Sequence, residues 1–399
     1  MADLIIYGGT IHSMDDNYPC PEAVAISGHK IIAVGDKETI MKDCCKKNTS
    51  LIELEGDQTL MPGFIEAHSH PTSAAFSSVI FTSCSGYDYS TKEEIDNLFT
   101  ETVANIEPGS GHWCLFFGWD PEIIRDLPTL NFDTLDGYST ETPIFVTAQN
   151  GHTAWANRKA FEVSGIGEDV EDPVGGTYVR DKDGKLTGQM LEPVVFLPMS
   201  MNATPMPTLT HVKEGMQKTW MEYSKAGFTT VCDLLYTPME EIDGIIEEIS
   251  AQDDCPIRVG IYTGDDPSQH NSHASCCDFI PKKAYNASSK SIRENENLWV
   301  AGVKIICDGS PHCGTAATHE EYLVNDLTEA LGFPAPPNKG LLSFTGDEEE
   351  KLKDRIVNYH RKGTQIAIHA HGERAIEQAL DAFENVSYTS LFLFTYLQI

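Results

Sequence analysis

"MPGFIEAHSHP", residues 61–71, places two histidines one residue apart, directly after a Pro-Gly turn and a short apolar run. Side chains of a β-strand alternate between faces. Glu66, His68 and His70 therefore share one face, with Phe64 on the same side below them. Two imidazoles on one face of a strand end can hold one metal ion. Two surface histidines beside a turn are the other reading. The choice between them depends on what the rest of the chain brings to the same place.

From residue 211 the pattern is regular. "HVKEGMQKTWMEYSKAG" is amphipathic and stops at Gly227, a C-cap residue. "FTTVCDLL" follows as a buried strand. "TPMEEIDGIIEEISAQ" reads as a helix with Thr237 as N-cap, Pro238 in its first position, and Ile242, Ile245, Ile246 and Ile249 on one stripe. "PIRVGIYTG" and "LWVAGVKIICDG" are further strands. "GDEEEKLKDRIVNYHRKG" is a helix with acids in its first turn and bases in its last, as the macrodipole favours. The strand "TQIAIHAHG" and the helix "ERAIEQALDAFENV" complete the series. Continuous apolar strands alternating with helices imply a parallel sheet covered by helices. Five such strands are expected, around 62–68, 228–234, 257–263, 300–307 and 364–370. In a (β/α)8 barrel the reactive residues sit at C-terminal strand ends. Three of these strands end in candidate ligands: His68 and His70, then Lys304, then His369. That shared position favours the metal reading.

The front of the chain differs. Within residues 1–60, "DLIIYGGTIHSM" and "AVAISGHKIIAVG" are apolar runs, the second folded at Ser27-Gly28, a hairpin signal, so a small β domain is expected there. Residues 110–200, rich in Gly, Pro and aromatics, read as an insertion with its own hairpin, "GGTYVRDKDGKLTGQM", turning at Asp183-Gly184. Sixty acidic against 28 basic residues give a net charge of −32, which repels phosphate backbones and anionic membranes, so neither is an expected partner. The start lacks a basic, apolar leader and no stretch approaches a membrane span. Eleven cysteines without a C-x-x-C repeat fit reduced thiols and a cytoplasmic setting.

With these motifs on the page, the chain resembles the amidohydrolase superfamily, in its YtcJ-like (type 3) branch with the N-substituted formamide deformylases. The resemblance runs from about residue 3 to 386. It rests on "MPGFIEAHSH", "FFGWD", "NGHTAWANRKAFE", "GGTYVRDKDGKLTGQMLEP", "AGVKIICDGSPHCGTAA" and "IAIHAHGERAIEQAL" in this order. It implies an α/β fold: a metal-binding TIM-type (β/α)8 barrel beside a β-sandwich composed from both chain ends. Residues 1–60 would be the first part of the sandwich, 61–386 the barrel and 387–399 a divergent tail. By the same resemblance His68, His70 and His369 are ligands of one or two divalent ions, with zinc the expected metal. Lys304 is a lysine carboxylated by CO2; a carbamate turns a cation into an anionic oxygen donor. The bland alternative pairs Lys304 with Asp308. Glu66, where the family usually has Asp, would orient a ligand imidazole from behind. His371 shares the face of His369. His152 either meets substrate or holds a loop, and Trp119 and Trp155 either wall a pocket or fill core. The implied reaction is hydrolysis of an amide-type carbon–nitrogen bond in a small molecule by metal-activated water.

One departure stands out. Five strands are three short of a closed barrel. No position matches the histidine that the family's sixth strand supplies, or the eighth-strand aspartate that is ligand and proton-transfer base. No catalytic base is therefore assigned. The expectation is an incomplete barrel, either active as a longer product or through a complementing chain, or a catalytically impaired form that binds a ligand or heterodimerises with a full-length partner; a homo-oligomer is a further expected assembly. "SLFLFTYLQI", residues 390–399, either covers an exposed sheet edge or is only a tail.

Overall fold

The computed structural model describes residues 1–107, 109–173, 175–203, 207–265, 295, 297–325, 328, 331, 333–361, 364–387 and 396–398. They divide into two compact units, Met1–Ile65 with Ala226–Thr230, and Glu66–Lys225 with Val231–Ile399.

The smaller unit is built on β1 (Leu4–Ile11), β2 (Ala23–Ser27), β3 (Lys30–Gly35) and β4 (Ser50–Leu60), with helix α1 (Lys37–Cys44). The sheet order is β3-β2-β1-β4. The β2–β3 hairpin turns at Gly28, whose φ of 57° suits glycine. Ile40 of α1 packs with Ile5, Ala23 and Ala25 in a small core, while Ile31, Ile32, Leu51 and Ile52 stay exposed. These four strands form one sheet.

The larger unit carries two six-stranded sheets. The first, of order β16-β15-β14-β13-β12-β5, contains β5 (Phe64–Ser69), β12 (Phe228–Tyr236), β13 (Arg258–Gly264), β14 (Leu298–Ile306), β15 (Gln365–His369) and β16 (Tyr396–Gln398). β13, β14, β15 and β16 pair parallel in turn. The five expected strands are present, and a short sixth joins them. Residues 396–398, in the expected tail, register Ala367 with Tyr396 and His369 with Gln398, satisfying the edge of β15. Alternation sorts each strand. Val303 and Ile305 of β14 and Ile366 and Ile368 of β15 pack against Leu352 and Ile356 of one helix (Asp347–Arg361) and Ala375, Ala379 and Ala382 of another (Glu373–Ser387). Lys304 and His369 consequently point the other way. The alanines at i, i+4 and i+7 let the second helix lie close on the sheet.

The second sheet arises largely from the insertion: β6 (Thr82–Ser83), β7 (Cys114–Trp119), β8 (Ile144–Ala148), β9 (Thr153–Ala156), β10 (Thr177–Arg180) and β11 (Leu186–Leu191), in order β10-β11-β9-β8-β7-β6. The expected hairpin is β10–β11, with Gly184 at φ 80° in its turn. Both faces are buried. Leu115 and Phe145 enter one core with Phe161, Met190 and Phe196; Phe116, Ile144 and Val146 enter another with Ile95 and Phe99.

Helix α2 (Pro71–Ile80) follows β5; α3 (Lys92–Ala104) opens with a Thr91–Glu94 capping box. Short helices α4 (Phe132–Asp136), α5 (Arg158–Val163) and α6 (Pro193–Ser200) flank the inserted sheet, and α7 (Leu209–Lys225) ends before Gly227, at φ 92°. Helix α8 is Glu240–Ser250 with Met239 as N-cap, two residues later than Thr237 and Pro238 suggest. The reason is local: Asp243 accepts Met239 N–H at 3.0 Å and the Tyr236 hydroxyl, which fixes Met239 at the helix start. The four isoleucines are buried on one stripe as expected. Asp347–Arg361 and Glu373–Ser387 are α9 and α10. No helix among the described residues is long and apolar enough to cross a membrane.

Candidate metal centre

Every expected ligand borders one cavity of about 400 Å³ at the C-terminal ends of the parallel strands: His68, His70, Lys304 and His369. β5 delivers His68, half-buried, and the chain then turns so that His70 becomes the N-cap of α2. Their rings meet edge to face with centroids 5.5 Å apart. His68 Nδ1 is buried and has no hydrogen-bond partner among the described residues. Burial first, and the neighbouring Lys304 charge second, hold both imidazoles down to about 4, so each is neutral at physiological pH.

Lys304 is 2 % exposed, and burial pulls its amine down to about 8. His369 is drawn down by burial as well, and its Nε2 lies 3.0 Å from the Gly309 carbonyl and 3.8 Å from Asp308 Oδ1. Asp308 borders the cavity, but its carboxylate is a clamp for main chain. Oδ1 accepts His371 N–H at 3.0 Å; Oδ2 accepts Gly372 N–H at 2.7 Å and Ala317 N–H at 2.9 Å. His371 packs on His369 with centroids 4.2 Å apart and its Nδ1 3.3 Å from Gly309 O, and does not line the cavity. Glu66 lies off the cavity too: its Oε1 accepts the backbone N–H of His68 at 3.0 Å, so it steadies the strand and not an imidazole.

His152, from the loop between β8 and β9, reaches the cavity wall with its ring 6.1 Å from that of His369. Its Nδ1 is 2.7 Å from Glu192 Oε2. Glu192 is a candidate site residue that no motif of the sequence singles out, although it stands in the quoted "MLEP". It follows β11, as N-cap of α6, with φ 72° and ψ 142°, a region glycine usually occupies. Its other oxygen accepts from the Thr315 hydroxyl and from Cys313 Sγ at 3.3 Å. Burial raises the Glu192 carboxyl, yet His152 and these donors outweigh it and the net shift is downward. Asp233 was passed over as well, although a carboxylate inside "FTTVCDLL" is a visible break in an apolar strand. It is 1 % exposed, burial lifts it to about 6, and its Oδ2 accepts Thr72 N–H at 3.1 Å at the start of α2. His70 provides no side-chain cap there. Asp233 therefore does that work from β12.

The donor set fits a divalent ion in kind. It comprises neutral imidazoles, one with an orphaned buried nitrogen, facing a cavity beside a lysine. It is not drawn tight: among the described residues no three His, Cys, Asp or Glu side chains are close enough to grip an ion as they stand. His369 Nε2 would have to leave Gly309 O to join one.

A parallel sheet covered by helices that gathers its polar residues at the C-terminal strand ends is the pattern of (β/α)8-type folds. The amidohydrolase family model matches residues 51–391, and the chain belongs to that family. It is 29 % identical to Protein LONG AFTER FAR-RED 3 of Arabidopsis thaliana over 97 % of this chain and 62 % of that protein. It is 25 % identical to the N-substituted formamide deformylase of Arthrobacter pascens over 97 % and 66 %. The chain thus spans just under two thirds of the length of these relatives. Among solved structures, an uncharacterized metal-dependent hydrolase from Pyrococcus horikoshii has a TM-score of 0.62 at 21 % identity, covering 96 % of this chain and 68 % of that one, a likeness of fold.

Proposed function

We propose that the chain is a metal-dependent hydrolase of carbon–nitrogen bonds other than peptide bonds, acting on amides of the N-substituted formamide type in the cytoplasm. The convergence of His68, His70, Lys304 and His369 on one cavity wall carries this reading. These four residues would hold the ion, zinc in the first instance, with Lys304 as the carbamate formed when its amine adds to CO2 and loses a proton. When bound, a divalent ion polarises a carbonyl and lowers the pKa of water. The chain's own residues do the rest. Glu192 fixes the His152 ring through Nδ1, leaving Nε2 as the position that holds or gives up a proton toward the cavity. Asp308 keeps the 308–317 and 371–372 segments in place behind His369. Leu235, Leu341 and Val194 give the cavity an apolar margin.

The test is to load chelator-stripped protein with zinc, manganese, cobalt or iron, measure bound metal, and assay amine release from simple N-substituted formamides. One or two ions per chain and amine release are expected, together with a mass increment of one CO2 at Lys304 that disappears without bicarbonate. No stoichiometric metal would overturn the site. The alternative reading, a form that binds without turning over, predicts metal uptake without amine release.

A further inference from the structure

A second cavity of about 320 Å³ lies in the larger unit, bordered by Trp119, Trp155, Leu127, Leu130, Asp120 and Glu122, with Asn150 and Thr153 on one side. The tryptophans thus do both things the sequence left open. They are 3 % and 7 % exposed, packed in the core with Phe99 and Val146, and present indole surface to this space. No lysine or arginine is among the described residues that line it, whereas two carboxylates are. Apolar walls that include two indoles, with two carboxylates against one histidine, His312, favour a cation carried on an apolar body. Asp120 is already oriented: its Oδ1 accepts Glu122 N–H at 2.9 Å and Ile123 N–H at 3.3 Å.

The two cavities share one loop as their wall. Asn150 borders the second and His152 the first, and two residues of chain span at most about 7 Å. Asn150 Oδ1 accepts the backbone N–H groups of His152 at 2.8 Å and Thr153 at 3.2 Å, so the wall is braced.

We propose that this second cavity binds an ammonium group borne on an aromatic or alicyclic body, as the amine-side arm of the substrate. The assignment to substrate rests on the reading of the imidazole cavity as the reacting centre; the ammonium site itself does not. The probe is phenethylammonium, titrated by calorimetry into the metal-stripped full chain, with hydrocinnamate as the anion of similar shape. One saturable site is expected for the cation. Asp120→Asn, which keeps an oxygen for the two backbone donors, should weaken it about tenfold or more. Glu122→Gln, at an exposed position, gives a second variant with no folding burden and a smaller loss in the same direction. Equal binding of hydrocinnamate, or binding untouched by both variants together, would overturn the proposal. Asp120-dependent binding without formamide hydrolysis would retain the site and remove the reaction. Hydrolysis without ammonium binding would remove the site.

Discussion

The two six-stranded sheets of the larger unit have the same strand number and opposite economies. The parallel sheet is apolar toward its helices and polar toward its cavity, so Val303 and Ile305 alternate with Lys304. The inserted sheet is apolar on both faces, so Phe145 and its neighbours Ile144 and Val146 are all core. What differs is where chemistry can enter. In the parallel sheet it comes from strand positions, whose direction the pleat fixes. In the inserted sheet it comes from strand ends and loops, as His152 and Glu192 do.

The contrast is sharpest in a pair of substitutions. Phe145→Ala removes a fully buried ring from the inserted sheet and should cost about 3–5 kcal/mol of stability in urea unfolding. Lys304→Met removes a buried cation of similar length and should leave stability within about 1.5 kcal/mol while abolishing metal uptake. Equal losses from both would break the division into supporting and reactive sheets. A smaller effect comes from Glu192→Gln, which keeps the volume and weakens the hold on His152. Turnover of metal-loaded protein should fall about 10²-fold. The Nδ1 proton resonance of His152 should shift even in metal-free protein, a signature that a packing role would not give.

The third test is smaller again and concerns the parallel sheet alone. Asp233 has a folded pKa of about 6, above its unfolded value of 3.8, so the folded state binds the extra proton between those limits. Its stabilising contribution is complete below pH 3.8 and is lost as pH rises through 6. Asp233→Asn imitates the neutral form and still accepts from Thr72. It should therefore raise stability by on the order of 2 kcal/mol at pH 8 and have no effect in acid. Thermal melts across that range check it; a loss at pH 8 would mean that the charge at the start of α2 outweighs its burial.

The same contrast explains what could be read from the sequence. The strands of the parallel sheet and the gathering of His68, His70, Lys304 and His369 on one cavity were legible because a polar residue in an apolar, period-two run has one direction to point. The β2–β3 and β10–β11 hairpins were legible from their turn residues. Glu192 and Asp233 were not. Glu192 acts through a partner 40 positions away, and Asp233 through a helix start 161 positions away, and neither distance leaves a local pattern. The start of α8 was misplaced because Tyr236 and Asp243, not Thr237, close its first turn. Glu66 and Asp308 were legible as site neighbours, but their preference for backbone N–H groups over side chains depends on tertiary approach.

Glu192 also sets a limit on how this protein can be improved. Its backbone sits where a side chain costs about 1–3 kcal/mol, and that cost is borne to aim a carboxylate at His152. Selection for heat resistance alone would find relief there: a glycine removes the strain and the carboxylate together. Variants ranked by melting temperature should therefore include one that is more durable and has lost the group that orients His152. A screen of this chain should score durability and turnover in the same well.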